Sequence, residues 1–295
     1  MNILITGATG LIGAQLTLQL IKQAHTITAL VRDPHRAKQK LPASVTLISS
    51  LAPYTTLDTF DAVINLAGEP IFEHHWTLQQ KRRLVESRIN LTAQLVKLIN
   101  ASRIPPHTFI SGSASGYYGN QDAQIVTENT PPTNTFPSQL CQRWETEALG
   151  AKTRVCLLRT GIVLSNMGGA LAKMLPLYRL GLGGKLGSGK QYWAWIALDD
   201  MVKGILFLLD NKPCQGAFNL VSPNPIPQTH FNHTLASILK RPAFANVPEF
   251  ILRLILGERA QLLLDSQNIM PEKLLSQGFV FAYPELKSAL QAILK

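Results

Sequence analysis

Cysteine, charge and aromatic side chains are all in short supply in this chain. There are only three cysteines in 295 residues, Cys141, Cys156 and Cys214. They are odd in number and far apart, which excludes a disulfide framework and any cysteine-based metal spacing. A reduced, cytoplasmic setting is the expectation. Charged residues make up 16% of the chain and aromatics 7%, against 46% hydrophobic, a balance that excludes wholesale disorder. No apolar run approaches the roughly 18 residues of a membrane span. MNILITGATG at the start lacks the basic segment and apolar core of a signal peptide and reads directly as a strand. Acidic residues are the scarcer sign, 18 against 28 Lys and Arg, for a formal charge of +10. The cations are scattered, and neither a zinc-finger spacing nor an aromatic RNA-binding motif accompanies them, so no nucleic-acid partner is expected. No membrane partner is expected either, because packing within a lobe explains the amphipathic helices of the tail.

The first half alternates two patterns. Short apolar runs at 2–6, 26–31, 45–48, 61–65, 107–111 and 153–159 read as strands. Helical periods lie between them, at 11–23, about 76–101 and about 137–149. That rhythm predicts an α/β fold, a doubly wound parallel sheet of Rossmann type with helices on both faces. After Arg159 the rhythm breaks into a helix at 168–180, a glycine-rich stretch at 181–189, an aromatic strand at 191–196, a helix at 199–209 and a returning strand at 217–221. The remainder is proline-punctuated and mostly helical. The expected division is a dinucleotide-binding domain over 1–165 plus 196–221, and a smaller, mostly helical substrate lobe over 166–195 plus 222–295.

Thr6-Gly7-Ala8-Thr9-Gly10-Leu11-Ile12-Gly13 follows the first strand and opens the first helix. Gly7 permits a tight turn, Gly10 a close approach of backbone to a pyrophosphate, and Gly13 close packing of helix on strand. The helix N-terminus then offers N–H groups and a positive dipole to phosphate. Thr9, Leu11 and Ile12 complete this expected cofactor contact. The end of the second strand carries Arg32, with Arg36 nearby. Two guanidinium groups suit a 2′-phosphate and point to NADP(H) over NAD(H). Asp33 argues the other way unless it caps a turn before Pro34. Asn65-Leu66-Ala67-Gly68 follows the fourth strand, where small residues let the chain run beside a dinucleotide.

Together these residues resemble the extended short-chain dehydrogenase/reductases, and within them the atypical NADP-type "epimerase family" branch. TGATGLIG at 6–13, NLAGEPI at 65–71, SASGYYG at 113–119, RTGIVLS at 159–165, GGKLGSGKQYWAWI at 183–196 and the tail at 257–290 carry the resemblance over essentially the whole chain. It implies a Rossmann fold with a C-terminal lobe closing over the nicotinamide. It extends the cofactor set to Ser111, Arg159, Gly161 and Val163, and implies a monomer or a homodimer built on the two long helices.

That superfamily uses a Tyr-x-x-x-Lys pair on the helix after the fifth strand, where Tyr is the acid/base and Lys lowers its pKa. Aligned on Glu145, this chain has Pro137 and Cys141 at those positions. Candidate substitutes are Ser113, which would orient a substrate oxygen, Tyr118 on the same loop, and Glu69, which could face the nicotinamide. Lys81 and Arg88 on the long helix read as solvated charges or as contacts to an anionic substrate. Two functions follow. One is an NADP(H)-dependent oxidoreductase or epimerase acting on a small carbonyl or hydroxyl compound. The other is a non-catalytic NADP(H)-binding sensor or partner-binding module. Gly184 to Lys190 has P-loop spacing but lacks the Ser or Thr and the helix that should follow. His74-His75 and His230-x-x-His233 lack a third ligand, so no metal is expected. Asp199-Asp200 reads as helix-start acid.

Overall fold

The computed structural model describes residues 1–295. Seven strands pair in one parallel sheet: β1 (Asn2–Thr6), β2 (Thr26–Leu30), β3 (Thr46–Ile48), β4 (Ala62–Asn65), β5 (Thr108–Ala114), β6 (Arg154–Thr160) and β7 (Gly216–Leu220), in the order β7-β6-β5-β4-β1-β2-β3. The helices that position the site are α1 (Leu11–Lys22), α2 (Pro34–Lys38), α3 (Leu78–Ala101), α4 (Phe136–Leu149), α5 (Gly169–Arg179), α6 (Leu198–Asp210), α7 (Gln228–Leu239) and α8 (Glu249–Leu256).

Successive strand residues point to opposite faces, and both faces are covered, so the strands are apolar throughout. Ile3, Ile5, Ile110 and Leu158 pack in one core with Leu16 of α1 and Ile205 of α6. Leu4, Val63, Phe109 and Leu157 pack on the other face with Leu95 and Ile99 of α3 and Ala148 of α4. Strand order reverses at β1, flanked by β2 and β4, and a crevice at the carboxyl ends of the strands at such a switch point is where this architecture takes ligands. In register, Thr6, Asn65 and Ser111 form one row across those ends.

A second core joins α5, α7 and the last helix, Leu286–Ile293, through Leu171, Leu175, Trp195, Phe231, Leu235 and Leu290. The expected division placed all of 222–295 in this lobe, and the packing is finer. Leu274, Phe279 and Phe281 belong to the sheet's own core with Phe218 of β7, and Asn268–Ile269 pairs with Ile125–Val126. The physical reason is the edge of the sheet. β7 has no eighth strand beside it, and its outward groups need partners. The Asn219 N–H donates to Glu128 Oε1 at 3.0 Å. Lys273 Nζ donates to the Gln215 carbonyl at 2.9 Å and lies 4.3 Å from the centre of the Phe218 ring.

Candidate cofactor and active site

The turn after β1 is shaped by backbone contacts. Gly7 has φ +73°, and a Cβ there would lie 2.6 Å from the Leu66 carbonyl carbon. A Cβ on Gly13 would run into the Gly7 carbonyl oxygen. Both glycines are therefore demanded by the fold. Gly10 differs: it is exposed, and a Cβ would meet only the Gly7 oxygen at 3.2 Å. Its missing side chain leaves the mouth of the turn open. No side chain caps α1, and no acidic residue occupies its first turn. The first-turn N–H groups, flanked by half-exposed Thr9, Leu11 and Ile12, form a cradle that fits an anionic diphosphate.

The loop after β4 is tied to this turn. Thr6 Oγ1 donates to Asn65 Oδ1 at 2.6 Å and accepts from the Ala67 N–H at 3.2 Å. Asn65 Nδ2 and Trp144 Nε1 both donate to Thr92 Oγ1, at 2.9 and 3.0 Å, and that hydroxyl donates to the Arg88 carbonyl at 2.7 Å. This network of buried side chains fixes Leu66, Ala67 and Gly68 along the crevice. Arg88 and Thr92 are four residues apart, so they share one helix face, and that polar spacing was the available signal for them. Arg88 is not a solvated helix charge. Its Nη2 donates to the Glu69 carbonyl at 3.0 Å and its Nη1 to the Leu84 carbonyl at 3.0 Å. The guanidinium lies 5.3 Å from the Trp144 ring centre, and burial lowers its pKa. Lys81 pairs with Glu258 at 2.6 Å.

At the end of β2 the Arg32 side chain is 93% exposed and that of Arg36 84%. Each has only a solvent-exposed ion pair, Arg32 with Glu69 at 3.8 Å and Arg36 with Asp33 at 3.5 Å, and such pairs are weak enough to yield to an incoming anion. Asp33 is the N-cap of α2, accepting from the Arg36 N–H at 3.1 Å. That role answers the argument it raised for NAD. The Glu69 carboxylate lies 3.8 Å from Arg32 Nη1, on the side of the crevice where the second strand ends.

The other two catalytic candidates are internal. Ser113 Oγ donates to Glu145 Oε1 at 2.6 Å, and both residues are buried. Tyr118 is wholly buried: its hydroxyl donates to Asn219 Oδ1 at 2.7 Å and accepts from Arg159 Nη1 at 2.9 Å. Burial pushes its pKa up to about 12, so it keeps its proton. Arg159 is a cofactor candidate that the structure places elsewhere. It meets Glu145 through two hydrogen bonds, Nε to Oε1 at 2.9 Å and Nη2 to Oε2 at 2.8 Å, and stacks 3.5 Å from the Tyr117 ring centre. Burial opposes its charge, yet the bonds and charge of Glu145 outweigh this and raise its pKa. Arg159 and Glu145 instead line a cavity of about 400 Å³ between α4 and the β7 edge. Ser111 is buried within the row it forms with Thr6 and Asn65. Gly161 is small because the Ala194 carbonyl crosses there, 2.5 Å from where a Cβ would stand. Val163 pairs with Ile196 in a short parallel ladder.

Pro137 and Cys141 are buried on the first turns of α4. The Cys141 Sγ lies 3.7 Å from the Ala114 carbonyl oxygen, and burial raises its pKa to about 11. Neither residue offers a titrating proton or a positive charge. The 184–190 stretch forms a strand and a tight turn with no helix after it, so it makes no phosphate loop. There is no group of three or more His, Cys, Asp or Glu side chains able to hold a metal ion. Asp200 is buried and clamps the tail, accepting from the Ala282 and Tyr283 N–H groups at 2.7 and 2.8 Å. Its role at the helix start is thus a tertiary one. Across the crevice, Arg259 Nη1 donates to the Phe72 carbonyl at 2.8 Å, and Lys173 faces Glu73 at 3.4 Å.

A parallel sheet with a glycine turn at its switch point, closed by a lobe of later segments, defines an extended short-chain dehydrogenase/reductase. The chain belongs to the NAD dependent epimerase/dehydratase family, whose model matches residues 3–220. Residues 247–293 match a domain of unknown function, DUF1731. It is 37% identical over its whole length to an epimerase family protein SDR39U1 homolog, chloroplastic, of Arabidopsis thaliana, covering 87% of that protein. It is 38% identical to an epimerase family protein of Staphylococcus aureus, over 99% of this chain and 98% of that one. Among solved structures, the human epimerase family protein SDR39U1 (isoform 2) with NADPH is 32% identical and superposes with a TM-score of 0.91, covering 99% of both chains. No helix here is long and apolar enough to cross a membrane.

Proposed function

We propose that this chain is an NADP(H)-dependent protein of oxidoreductase or epimerase type, acting on a small carbonyl or hydroxyl compound. The observation that carries the cofactor choice is the pair of exposed guanidinium groups, Arg32 and Arg36, at the end of β2. Backbone groups of residues 9–13 would hold the diphosphate, Arg32 and Arg36 the 2′-phosphate, and Leu66 to Gly68 would bound the crevice. The human relative solved with NADPH supports this assignment. When bound, the cofactor supplies hydride chemistry; the chain's own part is to bind, orient and exclude water. Titration calorimetry tests this reading. NADPH should bind more tightly than NADH, and Arg32→Ala should weaken NADPH alone, by about 10- to 100-fold for one lost charge-assisted contact. Equal affinity for both cofactors would overturn it.

A second reading, a cofactor-binding sensor without turnover, is favoured by one observation. Pro137 and Cys141 stand at the Tyr and Lys positions, while Ser113 and Tyr118 spend their hydroxyls on buried partners. NADPH oxidation followed at 340 nm across a panel of aldehydes and ketones separates the two. Turnover that tracks enzyme concentration rules out the sensor, and tight binding without any turnover supports it. A homodimer through α3 and α4, which pack side by side, belongs to either reading.

A further inference from the structure

Apolar side chains that stand out from a surface need a reason, and this lobe has several together. Leu180 is 74% exposed, Leu182 59% and Phe244 83%. Leu177 stands beside them, because the Leu182 N–H donates to the Leu177 carbonyl at 2.9 Å. The two turns that carry these residues are joined: Gly181 abuts Pro242, and the Ala245 N–H donates to the Gly183 carbonyl at 3.2 Å. Between the apolar tips sit Arg179, Lys240 and Arg241, all exposed, and no acidic residue lies in 176–182 or 240–245. The ladder pairing 184–186 with 245–247 leads on to α8. That helix buries only Leu252 and leaves Phe250 and Leu254, one turn apart, at 69% and 82% exposure. Packing within the lobe, the explanation expected from the sequence, therefore leaves this apolar material unburied.

We propose that this face of the lobe docks peripherally on an anionic lipid surface. Three arguments select that occupant. The chain carries +10 overall, and the three cations between the tips have no acidic partner in the ion pairs of the molecule. A second copy of the same face would bring those cations against each other, which opposes self-docking. Leu180, Leu182 and Phe244 also project from the turns that follow α5 and α7. Protein partners anchor such residues in fitted cavities, whereas the headgroup boundary of a bilayer accepts protruding side chains without matched shape. Large exposed apolar surface rimmed by polar groups marks an interaction site, and each Lys or Arg near an anionic leaflet adds attraction that salt weakens.

The experiment is co-sedimentation of the full chain with phosphatidylcholine vesicles, with and without about a third phosphatidylglycerol, at low and high salt. Binding is expected only to the phosphatidylglycerol vesicles, and it should fall with salt. Arg179→Glu with Arg241→Glu should weaken it by about 30-fold or more. Leu182→Ser with Phe244→Ser should weaken it by about tenfold or more. All four positions are exposed, so unchanged melting temperatures and NADPH titrations show that the variants still fold. Failure to bind either vesicle, or equal binding to both, overturns the proposal. So does concentration-dependent dimerisation that the same substitutions abolish, which would make a second copy the occupant.

Discussion

Glu145 shows how a single buried carboxylate organises the far half of the sheet. It accepts from Ser113 on β5 and from Arg159 on β6, and Arg159 reaches on to Tyr118 and the Glu128 carbonyl. Removing one partner of such a pair strands a charge in a low-dielectric interior. Glu145→Ala should therefore cost about 3–5 kcal/mol, and adding Arg159→Met should recover much of that loss. Urea midpoints of the single and double variants check it. Asp265 gives a pH signature. Burial raises its pKa from 3.8 to about 6, with Arg253 pulling the other way. The folded protein keeps this proton up to about pH 6, whereas the unfolded chain releases it near pH 4. This group's contribution is therefore full below about pH 4 and is lost as pH rises through 6. Melting curves of the parent and Asp265→Asn should show the variant gaining relative stability between pH 4.5 and 7.5. The sequence exposed the types of these residues but not their directions. Ser113 and Arg159 sit in motif-like stretches, and only the pleat decides that they face Glu145 of α4.

At the scale of elements, periodicity carried most of the information. Strand–helix alternation predicted the sheet because each strand is apolar on both faces. α6 was legible to within a residue at each end, expected over 199–209 and found at Leu198–Asp210. β5 was not: it was expected to stop at Ser111 and runs to Ala114, because Gly112, Ser113 and Ala114 pair with Leu158, Arg159 and Thr160. Small polar residues read as a turn, and tertiary pairing overrode that propensity. The glycine turn was legible for the opposite reason, since its chemistry is local. Gly13 packs α1 against the turn with no room for a methyl group. Gly13→Ala should displace the start of the helix, cost about 1–3 kcal/mol, and weaken NADPH far more than the stability change accounts for. Comparing thermal melts with calorimetric titrations of the variant separates the two effects.

On the scale of the whole molecule, the chain is assembled out of order. The lobe takes its core from 164–197, 226–243 and 283–294, while 268–281 leaves it to complete the sheet domain. Composition gave no hint of this return, because Leu274, Phe279 and Phe281 look like any lobe residues until their neighbours are known. Only the free edge of β7 explains it, and that edge is a property of the assembled sheet. The consequence concerns how the protein is made. Synthesis runs from the N-terminus at about 5–20 residues per second. The 61 residues from Val221 to Phe281 therefore leave a nearly finished sheet with its last strand uncovered for about 3–12 s on the ribosome. Chains stopped near residue 246 should be captured by chaperones or aggregate during translation, whereas full-length chains released from the same message should stay dispersed. A cell-free translation read by sedimentation, with and without added chaperones, would reveal whether the last fifth of this protein acts first as the guardian of the rest.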